Sequence, residues 1–159
     1  GVAFNAITYE ALDMMLGTGG HDWLKGYAAA FAKAQGNADE DWQKHVAARN
    51  ATSKPSLPLA KYAGTYRDPW YGDVVIRQGA KGLEMQFAKT AELLGDIAHW
   101  QHDIFIVRWR DRGLNADAFL NFSLDADGAI RELRMEPVSP LTDFSFDFQD
   151  LRLAPVPAR

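Results

Sequence analysis

Apolar residues recur with helical spacing over residues 4 to 50 and with strand spacing over residues 60 to 153. The spacing predicts a first helix over about Ala6–Leu16, with Asn5 as cap, Ile7, Ala11, Met14 and Met15 on one face, and Gly17 as the stop. A second helix starts after His21 or Asp22, carries Trp23, Tyr27, Phe31 and Ala34 on one stripe, and ends near Gly36. Asn37 and Glu40 have capping-box spacing and start a third helix anchored by Trp42 and Val46. Ala51 to Pro58, ATSKPSLP, reads as a linker because its prolines and hydroxyl residues suit neither period.

Short runs separated by turn signals follow. They are Lys61–Arg67, Asp73–Gln78, Leu83–Phe87, Glu92–His99, Ile104–Trp109, Ala118–Leu124, Ile130–Glu136 and Phe144–Leu153. Roughly eight strands at this spacing predict an antiparallel meander that closes into a barrel or tight sandwich, which protects its edges. Phe144, Phe146 and Phe148 have one parity and Leu151 and Leu153 the other, so a β-bulge is expected near Gln149. Ile104 to Val107 is apolar on both faces, and the helices are the natural cover for the outer one. The fold class is therefore α+β: two or three N-terminal helices (residues 1–50), a linker (51–58) and a β-barrel (59–155).

The chain's 159 residues suffice for one ordinary domain, and 47% hydrophobic with 24% charged residues is a globular mixture. A net charge of −4 without a Lys/Arg cluster disfavours nucleic acid. No cysteine is present, which removes disulfides, thiol catalysis and cysteine-ligated zinc. No apolar run approaches the roughly 18 residues of a membrane span. Gly1, with no Met before it, reads as the start of a processed or excised chain.

Catalytic signals are missing. No Ser or Thr is followed three residues later by Lys, no G-x-S-x-G occurs, Lys89-Thr90 continues with Ala91, and no Tyr is followed two residues later by Asn. No catalytic residue and no cofactor are assigned, and the chain is not expected to be an enzyme. His99 and His102 in HWQHD fall on opposite faces of a strand, and only Asp103 is near enough to join them, so no metal site is assigned. Asp125-Ala126-Asp127-Gly128 has its glycine too early for a calcium loop and reads as a turn. Tyr62, Tyr66, Trp70 and Tyr71, with Arg67, form the one aromatic group that could line a ligand mouth or an interface. Core packing or an interdomain contact is the favoured reading, because aromatics dominate both.

The run Leu59-Ala60-x-Tyr62-x-Gly64-x-Tyr66, then Asp68-Pro69-x-Tyr71-Gly72-x-Val74, resembles the lipocalin-like C-terminal domain of serine β-lactamase-related hydrolases, a group that includes class C and penicillin-binding-protein relatives. The likeness continues through Leu94, His99-Trp100, Asp103, Phe105, Phe122, Gly128, Ile130 and Leu133. Ala11-Leu12-Asp13, Leu16-Gly17 and Asp22-Trp23 resemble the segment that joins such a barrel to its catalytic domain. The resemblance implies a non-catalytic accessory domain whose partner is an upstream serine hydrolase domain of the same polypeptide. It also implies a periplasmic or secreted location over a cytoplasmic one. Self-association through Ile7, Met14, Met15, Trp23 and Phe31 is a further expectation, and an apolar ligand held in the barrel is the alternative.

Overall fold

The computed structural model describes residues 2–157; Gly1 lies outside them. Contacts divide the chain into two units that meet between Lys44 and His45.

The first unit is an α-helical hairpin. Helix α1 (Val2–Leu16) stops at Gly17, whose φ of +65° favours glycine. Helix α2 (Trp23–Ala48) begins after Asp22, whose side chain accepts from the Lys25 N–H at 2.8 Å. The helices are pinned by Trp23 Nε1, which donates to Asp13 at 2.7 Å, and by the Tyr9 ring stacked 5.0 Å from Trp23. The expected break at Gly36-Asn37 is absent, and α2 is one helix of 26 residues. Gly costs only about 1 kcal/mol in a helix interior and Asn less. Gln35 also donates to Asp39 across the weak point at 3.0 Å.

The second unit is an eight-stranded antiparallel sheet in the order β7-β6-β5-β4-β3-β2-β1-β8. Its strands are β1 (Gly64–Asp68), β2 (Gly72–Gly79), β3 (Gly82–Phe87), β4 (Thr90–Gln101), β5 (Ile104–Trp109), β6 (Ala118–Leu124), β7 (Ile130–Pro137) and β8 (Ala154–Pro155). Leu153 pairs with Leu133 on β7, and β8 pairs with β1, so the meander curls into a nearly closed barrel. Pro155, two residues past that bridge, has no N–H to offer a neighbour, and pairing to β7 stops there. Alternation sends Val74, Ile76, Met85, Phe105, Val107, Leu120 and Leu133 inward to a core shared with Tyr62, Tyr66 and Trp109.

Two strand expectations fail. Leu59–Tyr62 is a 3-10 turn entered from Pro58, so the first strand begins only at Gly64. Phe144–Leu153 is two 3-10 turns, Phe144–Phe146 and Phe148–Asp150, and no bulge occurs at Gln149. Asp143 accepts from the Ser145 N–H at 2.9 Å, and Asp147 takes a left-handed φ of +43°. The parity change thus comes from a turn: Phe148, Leu151 and Leu153 are buried while Phe144 points to solvent. Register shifts occur instead at Gln86/Phe87, His99/Gln101 and Ser123/Leu124.

The doubly apolar β5 has Phe105 and Val107 inside, and Ile106 is buried on the outer face. On that face the ring of His45, in the last turn of α2, lies 5.3 Å from Phe119, and the Arg49 guanidinium sits 4.5 Å over Trp100.

Candidate interaction surface

One end of the barrel is organised by a buried carboxylate. Asp68 ends β1 with inward parity and is only 5% exposed. One of its oxygens accepts from the N–H groups of Trp70 (2.8 Å) and Tyr71 (2.9 Å), and the other from Arg152 (2.9 Å). Burial pushes the Asp68 carboxyl up, but these three donors outweigh it and hold it below the ordinary value. The tight turn presents Trp70 with 86% of its surface exposed.

The segment after β7 reaches the same barrel end, where the Tyr71 hydroxyl donates to Asp147 at 3.2 Å. Burial at the turn, with the Asp147 carboxylate second, raises the Tyr71 hydroxyl's pKa. Here the Asp143-capped turn holds Phe144 87% exposed. Two aromatic rings are therefore presented to solvent from turns fixed by carboxylate–backbone bonds. Side chains held in place before contact lose little entropy when they are covered.

The five aromatic-group residues do not form one mouth. Trp70 and Tyr71 lie on this end, and Arg67 is on the exposed face of β1, paired with Asp73 at 2.5 and 2.8 Å. Tyr62 and Tyr66 are core residues, their rings 4.9 and 5.8 Å from Phe122. At the opposite end the Tyr62 hydroxyl donates to Asp103, which also accepts from the Ser56 N–H (2.8 Å) and hydroxyl (2.7 Å). Burial, helped by that carboxylate, pushes the Tyr62 hydroxyl up to about 12, too high for a general base near neutral pH. Burial pushes Asp103 up as well, yet Tyr62 and Ser56 prevail and hold it below the usual carboxylate range.

Asp68 and Asp103 both have folded-state values below their unfolded ones. Their contribution to stability is present above about pH 4 and is lost as pH falls through the folded values. Urea midpoints should be flat from neutral pH to about pH 5 and drop below about pH 4. A midpoint that rises on acidification would contradict this arrangement.

His99 and His102 lie in the β4–β5 hairpin, where His99 Nε2 is 2.8 Å from the His102 carbonyl oxygen. Among the described residues no group of three or more His, Asp or Glu side chains is placed to hold a metal. Asp125 closes the β6–β7 turn by accepting from the N–H groups of Asp127 and Ala129, each at 2.9 Å. In the helical unit Phe4, Ile7, Met14 and Met15 are exposed along one face of α1 and Leu16 and Phe31 are exposed elsewhere, while Trp23 is half-buried against Tyr9 and Tyr27. No described helix is long and apolar enough to cross a membrane.

Fold and surface together define an antiparallel meander barrel, internally packed, with Trp70 and Phe144 exposed at one end. A family model described as a domain of unknown function (DUF3471) matches residues 48–155, and the chain belongs to that family. Among solved structures it is similar to the C-terminal domain of penicillin binding protein Rv0907, with 19% identity and a TM-score of 0.49, over 69% of this chain and 94% of that one. No curated protein matches the chain.

Proposed function

We propose that the chain is a non-catalytic accessory domain that docks on a serine hydrolase domain of its own polypeptide, with Trp70 and Phe144 as the anchors. The observation that carries this reading is the placement of aromatics. Tyr62, Tyr66, Phe105, Trp109, Phe122 and Phe148 fill the barrel, whereas Trp70 and Phe144 are held outside it by rigid turns. A ligand inside the barrel would have to displace packed rings such as Tyr62 and Phe105, whose centroids are 4.8 Å apart. The apolar face of the helical hairpin supplies a second contact surface, for the same hydrolase domain or for assembly. The sequence resemblance to β-lactamase-related hydrolases names the partner class and favours a periplasmic or secreted setting.

Hydroxyl-radical footprinting tests the docking. Trp70 and Phe144 should be oxidised several-fold more slowly in the polypeptide that includes the hydrolase domain than in this chain alone. Equal oxidation in the two would overturn the reading. Trp70→Ala with Phe144→Ala should leave the isolated barrel within about 0.5 kcal/mol of its original stability, since both rings are solvent-exposed.

A further inference from the structure

A groove of about 440 Å³ runs along the outer faces of β4 to β7, within the size range of small-molecule sites. The strand register builds it. Ile104, Asn121 and Arg134 are successive cross-strand partners on β5, β6 and β7, and Ile106, Phe119 and Glu136 form the next row. Ile104 and Phe119 give the groove an apolar floor.

Arg134 and Asn121, cross-strand partners on β7 and β6, bring donors beside that floor, and Gln101 lines the groove from β4. Gln101 accepts the Asn50 N–H through Oε1 at 2.7 Å, which leaves its Nε2 protons for another acceptor. Arg134 donates through Nη2 to the Gln149 carbonyl at 3.1 Å and forms a long ion pair with Glu132, 3.9 Å from its Nη1, which an incoming carboxylate must compete with. The Asn121 amide hydrogen-bonds to no other group among the described residues. A guanidinium beside an amide N–H₂ on the neighbouring strand suits an acceptor with two oxygens and a negative charge. Glu136, two residues along β7, lies about 7 Å from Arg134 at ordinary strand rise.

We propose that this groove binds a small carboxylate with an apolar body, the carboxylate on Arg134 and Asn121 and the body on Ile104 and Phe119. The site is on the side of the barrel, so it stands or falls independently of docking at the Trp70 end.

The test is an NMR titration of the isotope-labelled chain with N-acetyl-leucine, and with N-acetyl-leucinamide as the uncharged control. Saturable shifts are expected at Ile104, Asn121 and Arg134, with a Kd of about 1 mM for a ligand of this size. The amide should bind at least about tenfold more weakly, as should the acid to Arg134→Met, with the remaining resonances of that variant unmoved. Asn121→Leu provides a second variant with the same expected loss. Equal affinity for acid and amide, shifts confined to another surface, or no saturable shift would each overturn the proposal.

Discussion

Replacing Gly95 with alanine is expected to lower the stability of the barrel by about 2–3 kcal/mol, read from urea denaturation. Gly95 is in the middle of β4, between Met85 on β3 and Trp109 on β5, on the inward face. A Cβ there would lie 2.7 Å from Val107 Cγ2, 2.8 Å from the Arg108 carbonyl oxygen and 2.9 Å from Trp109 Cε3. The carbonyl belongs to the sheet backbone and cannot step aside. The indole is also fixed, because its Nε1 donates to the Ala116 carbonyl at 2.6 Å. Gly36→Ala is the control of opposite sign. It is helical with nothing within 4 Å of an added Cβ, and should stabilise its helix by up to about 1 kcal/mol. A Gly95→Ala chain as stable as the original would mean that Trp109 does not pack over β4 as described.

The Asp68→Asn change should cost about 2 kcal/mol and reduce the acid sensitivity of the fold. The amide oxygen can still accept from Trp70 and Tyr71, but its N–H₂ then faces the Arg152 N–H, donor against donor, in a buried place. That contact ties the segment bearing the closing strand to the β1–β2 turn, so the loss should appear as faster hydrogen exchange at Leu151 and Leu153. Asp73→Asn, which weakens a solvent-screened pair with Arg67, should cost far less than Asp68→Asn. Equal costs for the two changes would contradict the role given to Asp68.

The parts of the fold that were legible in the sequence are those where alternation is uninterrupted. Leu83, Met85 and Phe87 on β3, and Leu120 and Phe122 on β6, announce strands because their polar neighbours face water. The last segment misled because three phenylalanines at alternate positions imitate a strand. Asp143 and Asp147, both strong turn residues, in fact decide its shape. That error hid Phe144 from the site, since strand parity would have placed it inside. Trp70 and Tyr71 stand close to Tyr62 and Tyr66 in sequence, and proximity alone groups the four. The strand separates their faces, and the turn at Asp68 turns Trp70 outward. Buried Asp68 stands in the sequence only as part of the Asp68-Pro69 motif, with nothing to mark its burial. The groove was invisible because Gln101, Ile104, Asn121 and Arg134 come from four strands that only register brings together.

The packed interior is tested most directly by the methyl NMR spectrum of the chain during titration with palmitate. If the barrel is filled by its own side chains, the methyls of Val74, Ile76, Leu120 and Leu133 stay unmoved at saturating fatty acid, whatever happens on the outer faces. A saturable shift of those four inward methyls, with the acyl chain in contact with them, would contradict it.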